Sequence, residues 1–299
     1  MPGNPIRNPI RKTTMLSEQP EQPQNWLGHE ERVEERLDPG AVARVAATLG
    51  SAPPAPGAAL PWLWHWAFFQ PAPAADQLGA DGHAFTGGFL PPMPGLQRMW
   101  AGGRLTFRHP LIVGEPAVRR SVIRHIERKE GRQAGAMTFV TVDHHYQQHG
   151  REAIHEQQDL VYRQPRPLQA RPGEPLPALD WRQEITPHPT LLFRYSAVTF
   201  NGHRIHYDWP YATEEEGYAG LVVHGPLIAT LVMNAFLDAH PHATPTAMSF
   251  RGLRPLLCPG RFVAGGVQDG AGRARVFAGD QDGQSQAGTI EYHTRDHQQ

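Results

Sequence analysis

GPLIATLVMNAFL, residues 225–237, is apolar on nearly every face of the helix that it predicts. A helix at a protein surface keeps one polar face, so this segment is expected to be buried on all sides. Gly225 and Pro226 suit its first turn, where the absent N–H of proline leaves no hydrogen bond unmade. The fold must therefore enclose this helix.

Two groups of three strand-like segments are separated by glycine-containing turns, a pattern typical of antiparallel meanders. The predicted strands are 117–128, 137–146 and 152–163 in the first half, and 262–268, 273–279 and 285–293 in the second. Each group follows a strand that runs into a Pro-Leu pair, at Pro110 and Pro255. The order of helix, apolar helix, strand, Pro-Leu turn and three-strand meander occurs twice, which indicates an internal repeat.

Three further segments are predicted to be helical. Residues 37–50 are expected to form a helix that Asp38 caps and Gly50 ends. The aromatic segment 61–69 begins with proline, which a first helical turn tolerates. Its tryptophans are interpreted as core residues or as the wall of a ligand pocket. Residues 209–216 are predicted to be helical as well.

An antiparallel sheet wrapped round one buried helix is the hotdog fold, and two copies in one chain form a pseudo-dimer. The predicted class is α+β: a double hotdog, with an antiparallel sheet wrapped around two central helices. A doubly wound fold would alternate strands with helices, and a β-sandwich would not explain the apolar helix. The predicted division is a disordered tail over 1–24, an N-terminal hotdog over 25–164, a linker over 165–179 and a C-terminal hotdog over 180–299.

Composition excludes several functional classes. The 299 residues carry 28 Lys and Arg against 29 Asp and Glu, so no basic field favours nucleic acid. Cys258 is the only cysteine, which excludes a disulfide scaffold and fits a reducing cytoplasm. No apolar run reaches the roughly 18 residues that span a bilayer. A cytoplasmic protein without nucleic-acid or membrane partners is expected.

Most of the reactive side chains lie in YSAVTFNGHRIHYD, residues 195–208. A β-type run is predicted to end at Asn201 and to lead into a polar loop that contains His206. A neutral imidazole can take a proton from water, and an amide side chain can orient that water. Backbone N–H groups at Gly225, aided by the helix dipole, can polarise a carbonyl. These groups suit the addition of water to a double bond conjugated to a carbonyl, or the reverse elimination.

The same region contains potential metal ligands in His203, His206, Asp208 and His224. Their spacing matches no common zinc pattern, so no metal is predicted. The sequence has no Walker loop and no dinucleotide fingerprint, so no cofactor is predicted either. Four other histidines, at positions 144, 145, 149 and 155, surround a predicted hairpin turn and are interpreted as solvated surface residues.

At these residues the sequence resembles the MaoC-like (R)-specific enoyl-thioester hydratase/dehydratase family, in particular its two-domain branch. That branch includes type 2 3-hydroxyacyl-thioester dehydratases and hydratases of mesaconyl-C4-CoA and itaconyl-CoA. The matching segments are 195–208, 217–227, 60–69, 98–104, 129–132 and 139–142. The resemblance spans residues 25–295 and implies the double hotdog that the repeat already predicts.

The resemblance also implies roles for individual residues. The catalytic histidine of the family falls on His206 and its carbonyl-polarising glycine on Gly225, whereas its catalytic aspartate is replaced by Asn201. Asparagine cannot act as a base, so His206 would carry proton transfer and Asn201 would position water or substrate. The N-terminal half has no counterpart of His206, which makes it the degenerate copy and the C-terminal half the catalytic one. Residues expected to bind substrate are Asp208, Arg204, His224, Tyr195, Trp64 and Arg104.

Arginines are the expected partners of the anionic parts of a CoA ester, because a guanidinium binds carboxylate or phosphate through two parallel hydrogen bonds. Candidates for an acyl carboxylate are Arg98, Arg104 and Arg194. Candidates for the CoA phosphates are Arg204, Arg251 and Arg254.

The predicted function is hydration of a 2-enoyl-CoA thioester. The resemblance implies itaconyl-CoA or mesaconyl-C4-CoA as the substrate and citramalyl-CoA as the product. One alternative is dehydration of longer 3-hydroxyacyl thioesters, and another is a thioester-binding hotdog that has lost catalysis. A buried arginine at the end of the pocket would favour a dicarboxylate, whereas an open apolar tunnel would favour a fatty chain. A homodimer is a further prediction.

Overall fold

The computed structural model describes residues 22–131, 135–165 and 172–294. The strands in these ranges are β1 (Glu30–Arg36), β2 (Gln97–Phe107), β3 (Pro116–Gly131), β4 (Gly135–Gln148), β5 (Arg151–Arg163), β6 (Trp181–Ile185), β7 (Leu221–Val222), β8 (Ala243–Gly252), β9 (Leu257–Cys258), β10 (Phe262–Gln268), β11 (Arg273–Asp280) and β12 (Gly283–Thr294). The helices are α1 (Pro39–Leu49), α2 (Pro189–Val198) and α3 (Gly225–Ala239). Short 3₁₀ turns cover Pro23–Trp26, Trp64–Ala67, Ala75–Gln77 and Arg204–His206, and a π-helical turn covers Tyr211–Glu215.

Ten strands form one antiparallel sheet in the order β1-β3-β4-β5-β2-β8-β12-β11-β10-β6. The two halves meet where β2 pairs with β8, from Gly102 opposite Arg251 to Thr106 opposite Ala247. Outward from this junction, the strands are β2, β5, β4, β3 and β1 in the N-terminal half and β8, β12, β11, β10 and β6 in the C-terminal half. The two halves therefore have the same topology. The internal repeat and all six strands of the two meanders are therefore confirmed. Sequence reasoning missed the outer strands β1 and β6, because EERVEER (30–36) and WRQEI (181–185) contain few apolar residues.

Helix α3 is enclosed by the sheet, as its sequence predicts. It contacts β6, β8, β10, β11 and β12. Leu227, Met233 and Phe236 are fully buried along it. Burial of each such side chain stabilises the fold by about 1.5–3 kcal/mol, so this helix anchors the C-terminal half. The α+β hotdog architecture is confirmed.

The N-terminal half has a different central element. The aromatic segment forms only the 3₁₀ turn Trp64–Ala67, because left-handed backbone at Leu63 (φ 68°) and Phe69 (φ 60°) interrupts the helix on both sides. The bulky aromatic side chains of this segment are part of the core: Trp64, Trp66, Phe68 and Phe69 are buried. Only one long central helix is therefore present in the described ranges, where the sequence predicted two.

Helix α1 matches its prediction, with Asp38 accepting a hydrogen bond from the Ala41 N–H and Gly50 in the left-handed conformation. The β-type run predicted before Asn201 is wrong, because α2 extends to Val198. Its first turn has His188 as N-cap and Pro189 as first residue, and packing of the face that contains Leu192 and Tyr195 outweighs local β propensity. The helical prediction for 209–216 corresponds to the π-helical turn.

The predicted tail over 1–24 lies mostly outside the described residues, as does part of the predicted linker over 165–179. Their boundaries stay predictions. Within the described ranges, no helix combines the length and apolar character needed to cross a bilayer.

Candidate active site

The loop after α2 brings the predicted catalytic residues to one place. Asn201 donates its backbone N–H to the carbonyl of Ser196 at 2.8 Å, which folds the chain back at the end of the helix. Residues 204–206 then form the 3₁₀ turn that ends in His206. A cleft of about 2510 Å³ has Asn201, His206 and Gly225 on its wall, together with residues of the N-terminal half. The three predicted catalytic residues therefore lie along one cavity.

His206 is a buried neutral base. Its Nδ1 lies 2.7 Å from the carbonyl oxygen of Val222, which can only accept, so Nδ1 carries the hydrogen. Nε2 is consequently free to accept a proton. Burial lowers the pKa of His206 to about 4, although the hydrogen bond to Val222 opposes that shift. At neutral pH the imidazole is therefore uncharged and ready to take a proton from water.

His224 supports the ring of His206. The two rings stack with centroids 3.6 Å apart and an interplanar angle of 18°. Nε2 of His224 lies 2.8 Å from Oγ of Ser196 on α2, and burial lowers its pKa well below the ordinary value. Tyr195 packs edge-on against His224 at 4.9 Å and is itself buried, which raises the pKa of its phenol. Both predicted substrate-binding residues thus line the cleft, where His224 stacks on His206 and Tyr195 packs against His224.

Gly225 begins α3 directly beside this histidine pair. A Cβ added to Gly225 would meet no atom within 4 Å, so its side-chain position opens into free space. Its φ is not positive, so backbone strain does not require glycine here. The first N–H groups of a helix have no partner within the helix and attract partial negative charge. This end of α3 can therefore receive a thioester carbonyl.

The side-chain oxygen of Asn201 forms a hydrogen bond within its own loop. Its Oδ1 accepts the backbone N–H of His203 at 3.0 Å. No described residue accepts a hydrogen bond from its Nδ2, which remains available to a ligand in the cleft. Asn201 can therefore donate to water or substrate, but it is poorly placed to accept a hydrogen from water.

Arg204 and Asp208 do not line the cleft. Nη2 of Arg204 lies 2.7 Å from Oδ2 of Asp208, and Oδ1 of Asp208 accepts the Tyr211 N–H at 3.2 Å. Nη1 of Arg204 donates to the carbonyl of Ala80 at 2.9 Å. Both groups are thus committed to holding the loop, which does not support the substrate-binding role predicted for them.

Trp64 and Arg104 also lie elsewhere than predicted. Trp64 is a core residue, and its neighbour Trp66 lines the cleft instead. Arg104 is exposed and forms a bidentate ion pair with Asp159, with N–O distances of 2.6 and 3.0 Å. Arg98 is the arginine of strand β2 that does line the cleft. Arg194, the third candidate for an acyl carboxylate, is exposed and outside it.

Arg98 is a cation whose charge acts on the histidines of the site. It lies near enough to His83 and His203 for its charge to lower the pKa of both imidazoles, after the larger effect of burial. It forms no ion pair with any carboxylate of the described residues. A partly buried guanidinium without a counter-ion is a suitable receptor for an anionic ligand.

Sequence reasoning missed Asp81 and His83, which come from the N-terminal half. Both line the cleft, and the rings of His83 and His203 lie 4.1 Å apart. The only local signal is an acidic residue and a histidine separated by one glycine, which by itself is typical of a surface turn.

The sequence suggested that all four histidines of the first meander are solvated surface residues. The structure shows that some of them are buried. His144 is buried, with Nδ1 2.8 Å from Oγ of Ser121, and burial lowers its pKa to about 4. His145 and His155 are partly buried and stack on each other at 4.6 Å. His149 is exposed as predicted. Alternation along β4 turns His144 towards the interior, where it contacts the cleft.

Buried neutral histidines make the fold sensitive to acid. His206 and His144 have a pKa of about 4 when folded, against 6.5 when exposed, so the unfolded chain binds more protons below pH 6.5. The free energy of unfolding is expected to fall by up to about 1.4 kcal/mol per pH unit for each such histidine, until pH reaches about 4. Urea denaturation from about pH 7 down to pH 5 measures this slope above the titration of the carboxylates. A His144→Gln variant should show a shallower slope, and an unchanged slope would contradict the assignment.

Comparison with known proteins supplies the family context of this site. A profile described as hydroxyacyl-thioester dehydratase type 2 matches residues 63–258. The chain is 47% identical over 247 residues to mesaconyl-C(4)-CoA hydratase of Chloroflexus aurantiacus, which covers 80% of this chain and 87% of that protein. It is 27% identical over 216 residues to the mitochondrial hydroxyacyl-thioester dehydratase type 2 of Schizosaccharomyces pombe, covering 62% of this chain and 70% of that protein. The crystal structure of a MaoC-like dehydratase from Phytophthora capsici matches with a TM-score of 0.63 and 13% identity, over 91% of this chain and 98% of that one.

Proposed function

Because this chain belongs to the hydroxyacyl-thioester dehydratase type 2 family and is thus a lyase, we propose that it hydrates a 2-enoyl-CoA thioester whose acyl group carries a second carboxylate. Mesaconyl-C4-CoA is the proposed substrate and citramalyl-CoA the product, with itaconyl-CoA as the related five-carbon candidate. The name of the Chloroflexus aurantiacus relative, at 47% identity, supports this choice.

The observation that carries the proposal is the position of Arg98. In mesaconyl-C4-CoA the free carboxylate is bonded to the β-carbon, which is the carbon that water attacks. A receptor for that carboxylate must therefore lie close to the base that activates the water. Arg98 lies beside His83 and His203, and the ring of His203 is 5.5 Å from that of His206. Its guanidinium has no competing carboxylate among the described residues.

The other groups fit the same reaction. Nε2 of His206 takes a proton from water as the oxygen bonds to the β-carbon, and the displaced electron pair moves onto the thioester oxygen. The N–H groups at the start of α3, next to Gly225, stabilise that developing negative charge. The proton then passes from His206 to the α-carbon, which restores the enzyme. At the cleft, Arg251 and Arg261 are exposed and suit the CoA phosphates, whereas Arg254 is paired with Asp280.

An Arg98→Gln variant should lose its preference for the dicarboxylate. Removal of a charge-assisted hydrogen bond, about 1.5–3 kcal/mol, predicts a fall of about 10²-fold in kcat/KM for mesaconyl-C4-CoA. Crotonyl-CoA lacks the second carboxylate, so its hydration should change by less than about threefold. Loss of the absorbance of the conjugated thioester measures both rates.

Arg104→Gln is the matched control, because Arg104 lies on the same strand but pairs with Asp159 outside the cleft. It should leave both rates unchanged. An Arg98→Gln variant that keeps the wild-type ratio of the two substrates would contradict the role of Arg98.

Dehydration of longer 3-hydroxyacyl thioesters is the second candidate function. The size of the cleft and its apolar residues Trp66, Trp100 and Leu160 favour it, as does the weaker similarity to the Schizosaccharomyces pombe dehydratase. A panel of dicarboxylyl, short-chain and long-chain thioesters distinguishes the two. Higher kcat/KM on long chains would replace the dicarboxylate proposal, and activity on none would favour a binding protein. A cytoplasmic location and a homodimer stay predictions.

A further inference from the structure

The long connection of the N-terminal half reaches the catalytic loop of the other half. Residues 240–242 suffice to link α3 to β8 in the C-terminal half, whereas residues 68–96 connect the 3₁₀ turn to β2 in the N-terminal half. This connection includes Asp81, Gly82 and His83, which all line the cleft. The N-terminal half therefore contributes polar side chains to the site.

Close backbone packing fixes the position of this connection. A Cβ on Gly82 would lie 1.9 Å from the carbonyl oxygen of Gly202, and a Cβ on Gly202 would lie 2.6 Å from that of Gly82. Only glycine at both positions permits this approach. The Arg204 N–H donates to the carbonyl of Asp81 at 2.9 Å, and its guanidinium holds Ala80. The two loops are thus held together by contacts that involve neither catalytic side chain.

This packing places an Asp–His pair next to the histidines of the catalytic loop. Nδ1 of His83 lies 2.8 Å from Oδ2 of Asp81. Burial alone would raise the pKa of Asp81, but the hydrogen bond from His83 lowers it below its ordinary value. An ionised carboxylate can only accept, so Nδ1 of His83 carries the hydrogen and Nε2 is free. His83 therefore has the same tautomer as His206.

We propose that His83, oriented by Asp81, is a second catalytic residue of the hydration reaction and holds the attacking water together with His206. This inference rests on the proposed hydratase function. The water donates one hydrogen to Nε2 of His206 and the other to Nε2 of His83. As the oxygen bonds to the β-carbon, the first O–H bond breaks and His206 receives that proton, which it later returns to the α-carbon. The second hydrogen stays on oxygen and becomes that of the product hydroxyl.

The geometry explains why a second acceptor is needed. Oδ1 of Asn201 is already bonded to the His203 N–H, so the amide offers donors to the cleft rather than an acceptor. With one acceptor alone the attacking water could rotate about a single hydrogen bond. A second acceptor fixes the direction of its lone pair, and correct alignment of a reacting group contributes substantially to rate.

A metal ion is the competing interpretation, because Asp81, His83 and His203 place ligand atoms within 4.8 Å of one another. The rings of His83 and His203 lie 4.1 Å apart and are tilted by 36°. Nδ1 of His83 and Oδ2 of Asp81 are already hydrogen-bonded to each other at 2.8 Å, which leaves neither of these two atoms to a metal ion. The acid–base interpretation fits this arrangement better.

Three variants test the role of His83 in the full-length protein. His83→Ala should lower kcat for hydration by about 10²-fold with KM changed by less than about threefold, because it removes a group that acts on water. Added imidazole should restore part of that kcat, which it cannot do for a purely structural loss. Asp81→Asn should also lower kcat, because asparagine can still accept the hydrogen of Nδ1 but no longer fixes the tautomer. His125→Ala, an exposed histidine on β3, is the control and should match the wild type.

The outcomes separate this inference from the proposed function. Wild-type protein that hydrates no enoyl-CoA contradicts the proposed function itself. An active wild type with an unaffected His83→Ala variant contradicts only the role of His83. Loss of kcat without imidazole rescue, together with a lower unfolding midpoint, would show that His83 is merely structural and would also overturn the inference. If the wild type contained stoichiometric metal and His83→Ala lost that metal, a metal site would replace this inference.

Discussion

Replacement of His206 with asparagine is expected to lower kcat by about 10²–10⁴-fold, which is the usual contribution of one general acid–base group. The amide of asparagine can still donate to the carbonyl of Val222, so the buried hydrogen bond of the wild type has a substitute. The amide cannot take a proton, however, and His224 cannot replace the base because its Nε2 faces Ser196. The loss should therefore appear in kcat much more than in KM. Initial rates of enoyl-CoA hydration, with thermal unfolding in parallel, measure both effects.

His293→Ala is the control for this experiment, because His293 is exposed on β12 and does not line the cleft. It should retain the wild-type kcat. If His206→Asn kept a rate within about tenfold of the wild type, the base would have to be another residue of the site. His83 and His203 would then be the groups to examine.

The sequence predicted most of the fold because its signals are local. Turn residues and alternation place all six strands of the meanders within a few residues of their observed ends, and Asp38 and Gly50 mark the ends of α1. The apolar character of residues 225–237 on every face requires an enclosed helix. The prediction failed where packing decides: α2 includes Val198 despite its β-branched side chain, because the helix buries Leu192 and Tyr195.

The positions of the arginines show why a site is harder to predict than a fold. Arg104 lies six positions after Arg98 in the chain. Because side chains alternate along a strand, a regular strand would turn both to the same face. A register shift between Trp100 and Gly102 adds one residue to β2 and reverses the faces. Arg98 therefore lines the cleft while Arg104 pairs with Asp159 outside. No pattern in the sequence marks that bulge.

The contribution of His83 was hidden for a related reason. Its place beside His203 depends on a contact between two glycines, Gly82 and Gly202, that are far apart in the chain. A contact between loops leaves no periodic pattern in either segment. His206, Asn201 and Gly225, by contrast, lie close together in sequence, and their residue types alone indicated the chemistry.

Gly225→Ala is expected to lower kcat/KM for hydration by about 10²–10³-fold while leaving the fold intact. The free space around an added Cβ and the ordinary φ at this position mean that alanine fits without strain. Alanine is also a better helix former than glycine, so the unfolding midpoint should be unchanged or slightly higher. The methyl group would occupy the space through which a thioester oxygen approaches the N–H groups of α3. Activity should therefore fall without any loss of stability, which a defect in folding cannot produce.

Gly40→Ala is the matched control, because Gly40 lies in the first turn of α1 and outside the cleft. Its added Cβ would lie 3.0 Å from the carboxylate of Asp38 and 3.7 Å from the guanidinium of Arg44, both of which are side-chain groups. This variant should keep the wild-type kcat/KM, which separates a general effect on helix ends from an effect at the site. If Gly225→Ala were as active as Gly40→Ala, the thioester oxygen would have to be stabilised elsewhere. The Nδ2 group of Asn201 donates a hydrogen bond to no described residue, and it would then be the next donor to test.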